Sequence, residues 1–392
     1  MRPRPANKAQ RFSPCVQGAS VVASEGASGE TMASYARVLG IVFAVLSLGV
    51  FPNGAALAAE DCKPLTLITS VDLLRRDGDP HVYVPVTING HQKLMMLDTG
   101  GWSSEVTSQA AADLGLPYVS IRYSEVNLAG EESHQAASVD SFTIGQLTTK
   151  SVEFVVSPEK VLFHDEPEFV GILAPNILKN YDIDIDFGSN KLSILSPDHC
   201  EGKVIYWPAD SVAVVPMHVL RSGHILVPVE LDGKEVNAIF DTGTSTTTLM
   251  MPIAEDDFGL KMGSADTRKT AEMPDRPGTA IYEHKFTSLN FGGVSVSNLT
   301  VAILPDFLRN KVGGPQLGSR LGSNGAHEQS PDMLIGMNVL RHLHVYIAYR
   351  EQKLYITQVD GEQAIPVANG TTPNTSPYST HLRLTEERRS GL

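Results

Sequence analysis

Short runs of apolar residues, many alternating with polar ones and punctuated by Gly, Asn and Asp, make up the middle of this chain, and one such run occurs twice. Residues 81–100 read HVYVPVTINGHQKLMMLDTG, and residues 224–243 read HILVPVELDGKEVNAIFDTG. The two align without a gap at an offset of 143, with eight of twenty positions identical. A second pair follows in the same order, NILKNYDIDIDFGSNKLSI at 176–194 and NVLRHLHVYIAYREQKLYI at 338–356. Two ordered matches imply a duplicated unit of about 140 to 165 residues and not a chance tripeptide.

Each unit reads as antiparallel β. Residues 82–88, the pair Asn89-Gly90 and residues 93–97 form strand, hairpin turn and strand, and residues 225–231, Asp232-Gly233 and 235–240 repeat them. Asn-Gly and Asp-Gly supply the positive φ angles of tight hairpins. Residues 181–187 and 343–349 alternate with period two, the mark of half-buried strands, so Asp182, Asp184 and Asp186 are expected on an outer face. Helices are scarce: one turn each at 176–179 and 338–341, with short helices at 107–114 and 251–258. Residues 310–331 form a Gly-rich surface loop peculiar to the second copy; lacking a Gly-Lys-Ser or Gly-Lys-Thr ending, it is no phosphate cradle.

The N-terminus departs from this pattern. Residues 38–51 are a 14-residue apolar stretch after Arg37, shorter than the ~20 residues a membrane-spanning helix needs and of the length of a signal-peptide core. Ala56-Leu57-Ala58 fits a small-x-small cleavage site, so cutting is expected after Ala58 or Ala59. Residues 32–59 are read as a signal peptide starting at Met32, and residues 1–31 as an untranslated or disordered leader. An uncleaved membrane anchor is the alternative. The predicted divisions are a first lobe at 60–205, a second at 206–366 and a disordered tail at 367–392. Export to the periplasm or exterior is expected, with no stable membrane insertion after cleavage.

Composition narrows the function. With 42% hydrophobic and 19% charged residues the chain is globular. A net charge of −13 without a basic run argues against nucleic acid as a partner. Of three cysteines, Cys15 lies in the leader; Cys62 and Cys200 either close the first lobe as a disulfide or stand as two thiols. There is no Cys-x-x-Cys, His-Glu-x-x-His or Gly-x-Ser-x-Gly, and His342-x-His344 reads as a polar strand face, so no metal site is expected.

The chemistry lies in the repeated Asp-Thr-Gly. Asp98-Thr99-Gly100 and Asp241-Thr242-Gly243 each end an apolar strand, and each copy later supplies an apolar pair and a small residue before a helical turn (Ile172-Leu173-Ala174 and Leu334-Ile335-Gly336). Two carboxyl groups meeting in a low-dielectric cleft cannot easily both ionise; sharing one proton makes a base and an acid from identical residues. These loops resemble the active-site loops of aspartic peptidases, and the chain is similar to retropepsin-type units fused in tandem, as in bacterial exported members, with the bilobal layout of pepsin-like enzymes.

The resemblance covers roughly residues 62–365. It implies an all-β, bilobal acid-protease fold, two similar closed β-barrel-like lobes with a cleft between them, and Asp98 and Asp241 as catalytic pair. Thr99, Gly100, Thr242, Gly243 and Thr244 support the loops, the Thr99 and Thr242 hydroxyls each bonding into the opposite loop and Thr244 offering its hydroxyl to Asp241. The first loop departs from the family pattern, since Gly101-Trp102 stands where a hydroxyl residue is expected. The implied function is aspartic endopeptidase, acting on extended polypeptide as a monomer, without a cofactor. The alternative is a catalytically silent peptidase-like module that binds peptides or inhibits an enzyme. Flap hairpins are expected at 123–133 and 269–282.

Overall fold

The computed structural model describes residues 62–126, 132–157, 167–209, 211–220, 223–273, 278–305 and 331–359. The leader, the signal segment, the C-terminal tail and nearly all of the Gly-rich loop 310–331 lie outside the described residues.

Both predicted hairpins form. Asp79–Ile88 pairs antiparallel with His91–Leu97, and Ile225–Leu231 with Lys234–Phe240. Their turns place Asn89 and Gly90 at φ 46° and 87°, and Asp232 and Gly233 at 44° and 78°, the left-handed region that Asn, Asp and Gly tolerate. Alternation then sends Val82, Val84, Val86 and Ile88 into the core. Burying each such side chain is worth about 1.5–3 kcal/mol.

Each half closes into a six-stranded barrel. In the first, His91–Leu97 continues to Phe169–Leu173, Glu105–Thr107, Leu147–Ser157 and Glu132–Ile144, which returns to Asp79–Ile88. In the second, Lys234–Phe240 continues to Met333–Ile335, Thr248–Met250, Val294–Leu304 and Ala280–Phe291, which returns to Ile225–Leu231. The expectation of purely antiparallel pairing is corrected here. His91–Leu97 runs parallel to Phe169–Leu173 and Glu105–Thr107 parallel to Leu147–Ser157, and the second barrel repeats both parallel pairs. Parallel neighbours need a long crossover, and the segments between the repeated blocks supply it. The short helices stand where expected, at Ser108–Asp113, Pro175–Leu178, Met251–Asp256 and Met337–Leu340. Thr107 caps the first by accepting the Ala110 N–H.

A third sheet takes strands from both halves, in the order Leu67–Asp72, Lys191–Leu195, Asp182–Asp186, Leu343–Ala348, Lys353–Gln358, Ala213–Pro216. The halves meet where Ile183 faces Ile347 and Ile185 faces Val345. Here the outer-face expectation fails. Asp182 is fully buried and Asp184 is 3% exposed. His199 Nε2 meets Asp182 at 2.6 Å, His344 Nε2 meets Asp184 at 2.5 Å, and Tyr206 donates to Asp184. Trp207 stacks on His344 at 4.1 Å and donates to Thr357, so the segment after Cys200 roofs this face of the sheet. His344, expected on a polar strand face, is part of the buried layer. Buried carboxylates persist there because each finds charged or hydrogen-bonding partners.

Cys62 and Cys200 are joined by a disulfide, with Cα atoms 4.8 Å apart across a sequence separation of 138. It fastens the entry of the first half to the start of the roof, where the Cys200 N–H also bonds the Lys63 carbonyl.

Candidate active site

Asp98 and Asp241 stand at the C-terminal ends of equivalent barrel strands, each held by a neighbouring parallel strand. The Asp98 N–H donates to Leu173 O at 3.0 Å and the Asp241 N–H to Ile335 O at 2.9 Å. The chain then leaves the sheet, and Gly100 and Gly243 return their N–H groups to Oδ1 of their own aspartates at 3.0 and 2.9 Å.

The loops lock face to face. Thr99 Oγ1 donates to Phe240 O and Thr242 Oγ1 to Leu97 O, both at 2.6 Å, while each hydroxyl accepts the other threonine's N–H at 3.0 and 3.1 Å. Four buried hydrogen bonds thus cross between the halves with two-fold pseudosymmetry. A second tier supports them. Asn176 Oδ1 accepts from Ser104 N and Oγ at 2.9 and 2.8 Å, and Asn338 Oδ1 accepts from Thr247 N and Oγ1 at 2.8 and 2.7 Å. Sequence reasoning missed this tier. Its signal was the Asn that opens both copies of the second repeated block.

The carboxylates are in hydrogen-bonding contact with each other and almost inaccessible, Asp98 at 4% and Asp241 at 8% exposure. Burial raises both pKa values. Asp98 is raised further by the charge of Asp241 and more weakly by Glu105, a buried residue that sequence reasoning also passed over. Asp241 is held back by the N–H groups of Gly243 and Thr244, by Asp98 and by the nearby His81. The pair therefore retains a proton above the ordinary carboxylate range. A raised folded-state pKa stabilises the fold below the unfolded value, and this is lost as pH rises through the folded one. Wild type will thus lose thermal stability relative to Asp98→Asn between about pH 4, the ordinary carboxylate value, and neutrality, a difference that melting curves across that range measure.

One sequence expectation needs adjustment. The Thr244 hydroxyl donates to Thr246 O at 3.4 Å, so Thr244 supports Asp241 through its backbone N–H. Gly100 and Gly243 do not occupy the left-handed region. They are glycines because a Cβ at 100 would stand 2.2 Å from Asp241 Cγ and one at 243 would stand 2.3 Å from Asp98 Oδ1. Gly101 too lies under Asp98, where a Cβ would come 3.0 Å from its Oδ2.

Two histidines flank the loops at equivalent repeat positions. His224 Nε2 donates to Gly100 O at 2.9 Å, and its ring meets Trp102 edge-on at 5.1 Å. His81 Nε2 faces Ser245 Oγ at 3.4 Å, and its Nδ1 meets Asp79 Oδ1 at 2.6 Å. Among the described residues no group of three or more His, Cys, Asp or Glu side chains could hold a metal ion.

A family model described as aspartyl protease matches residues 84–175 and 227–339, just over half of the chain and including both Asp-Thr-Gly loops. Among solved structures, basic 7S globulin from soybean matches with a TM-score of 0.43 and 11% identity, over 76% of this chain and 96% of its own. No curated protein matches.

Proposed function

We propose that this chain, which belongs to the aspartyl protease family, hydrolyses peptide bonds of extended polypeptides with a water molecule activated between Asp98 and Asp241. The observation that carries this reading is the pair itself: two buried carboxylates in contact, raised in pKa, and fixed by loops that grip each other. In the singly protonated pair the ionised aspartate takes a proton from water as its oxygen attacks the scissile carbonyl carbon. The protonated aspartate gives its proton to the carbonyl oxygen. The resulting gem-diol collapses as the first aspartate returns its proton to the departing amine and the second recovers one from a diol hydroxyl. The C–N bond breaks and the pair is restored.

Substrate binding in extended form would use strand-type pairing. The hairpins Tyr118–Val126 with Glu132–Ile144, and Thr267–Glu272 with Ala280–Phe291, are the candidate flaps. Residues 127–131 of the first and 274–277 of the second lie outside the described residues. One chain supplies both carboxylates, which supports action as a monomer. The disulfide favours an oxidising compartment, in keeping with a signal peptide at 32–59 and a periplasmic or secreted protein. Among the described residues no helix is long and apolar enough to cross a membrane.

The test is digestion of an unfolded protein by the purified chain from pH 3 to 8, with products read by mass spectrometry, with and without a statine-type transition-state analogue. Cleavage strongest on the acid side and falling as the shared proton is lost supports the reading. Absence of cleavage at every pH would leave a peptidase-like binding module.

A further inference from the structure

The two halves are near-symmetric in their loops but not in what surrounds them. The offset of 143 that maps Asp98 onto Asp241 also maps His81 onto His224 and Trp102 onto Ser245. Each histidine reaches across to the opposite loop, His224 to Gly100 O and Trp102, His81 to Ser245. The symmetry stops at the next residue. His81 is backed by Asp79, whose repeat counterpart is Ser222.

Asp79 is well built for this purpose. It is 9% exposed, accepts the His81 N–H at 3.0 Å and the ring Nδ1 at 2.6 Å on Oδ1, and takes the Tyr83 hydroxyl on Oδ2 at 2.5 Å. Burial pushes its pKa up, but these three donors bring it down to about 2, so it is ionised throughout the range where the pair works. A carboxylate accepting at Nδ1 fixes the proton on that nitrogen and turns Nε2 towards Ser245.

We propose, resting on the peptidase reading above, that His81, oriented by Asp79, is a positioning residue that fixes the polarity of the carboxylate pair, making Asp241 the ionised member that receives the proton of water and Asp98 the protonated member. The surroundings of the two carboxylates argue the same way. Towards Asp241 face His81 and the N–H groups of Gly243 and Thr244; towards Asp98 face Glu105 and the N–H of Gly100. The interaction with His81 at one carboxylate and with the buried Glu105 at the other separates two groups that the repeat would otherwise leave alike. Arg76 in turn acts on Tyr83, which donates to Asp79.

The experiment follows two readouts in wild type, His81→Gln and Asp79→Asn. The first is the acid limb of kcat/KM against pH on a peptide that wild type cuts. The second is the titration of the aspartate carboxyl carbons, by NMR of protein labelled with ¹³C in aspartate, which needs no turnover. Removing the imidazole should raise the lower titration step, and with it the acid limb, by about one pH unit. Asp79→Asn, which keeps the ring but removes the carboxylate that orients it, should move both the same way by less. It also serves if His81→Gln does not fold. A lower step and an acid limb that coincide with wild type in the folded variants would overturn the proposal. If the titration moves but no variant and no wild-type sample cleaves peptide, the polarity stands and the peptidase reading fails.

Discussion

Replacing either Asp98 or Asp241 by Asn will remove peptide-bond cleavage almost completely while both barrels remain folded. Asn keeps the shape of the side chain and can still accept the N–H of Gly100 or Gly243, so the loops have no reason to move. The threonine grip between them uses none of the carboxylate oxygens. What changes is protonation. Water hydrolysis requires one member to accept a proton while the other donates one, and a permanently neutral amide can do neither step in both directions. General acid–base help is worth about 10²–10⁴-fold, and members of one coupled unit lose nearly the whole benefit when either goes. The measurement is kcat on a peptide that wild type cuts, with folding checked by melting curves. Turnover near wild type in either variant would refute a shared-proton mechanism. The two need not be equal in stability. Asp98→Asn removes the more strongly raised carboxyl and should gain more at neutral pH.

Much of this site was legible in the sequence because duplication states a fact twice. Val-Pro-Val, the Gly turn and Asp-Thr-Gly recur in register, and the barrels recur with them. Local chemistry was legible too: Asn89-Gly90 and Asp232-Gly233 make the turns their φ preferences demand. What escaped depended on which distant segment covers a strand. The alternation of Asp182, Ile183, Asp184 and Ile185 correctly separates two faces, yet period two cannot say that one face is roofed. The roof, residues 199–207, has no periodicity of its own; it is held by Tyr206, Trp207 and His199, each of which bonds a group in a strand outside the segment. Parallel pairing within the barrels was invisible for a related reason, since it joins strands whose paired residues lie some 50 to 95 positions apart. His81 and His224 were conspicuous as repeated letters, but nothing in the sequence around a strand's start announces that a ring there reaches the opposite loop.

Gly100→Ala and Gly243→Ala will each cut activity by at least about 10²-fold, because a methyl group at either position enters the space of the opposite carboxylate. Backbone strain is not the cause, since neither residue lies in the left-handed region and alanine could adopt both conformations. The added carbon at 100 would meet Asp241 Cγ, Oδ1 and Oδ2 at 2.2, 2.4 and 2.5 Å; at 243 it would meet Asp98 Oδ1, Cγ and Oδ2 at 2.3, 2.4 and 2.8 Å. These carboxylates cannot simply swing away. Each is buried, anchored by its own loop and in contact with the other. The loops cannot easily part either, because the Thr99 and Thr242 bonds hold them together. Relief must come from displacing the pair, and overpacking of this kind costs about 1–3 kcal/mol in stability. For catalysis the cost is larger, since misplacement by about 1 Å is enough for about 10²-fold. Gly233→Ala supplies the contrast. That glycine has φ 78°, and a Cβ there would meet nothing within 4 Å, so alanine strains the turn by roughly 1–2 kcal/mol and touches no catalytic group. Melting temperature should therefore fall in Gly233→Ala with kcat kept, whereas kcat should collapse in Gly100→Ala and Gly243→Ala. Cleavage within tenfold of wild type in a folded Gly100→Ala protein would mean that the carboxylates do not work at the close approach on which the mechanism depends.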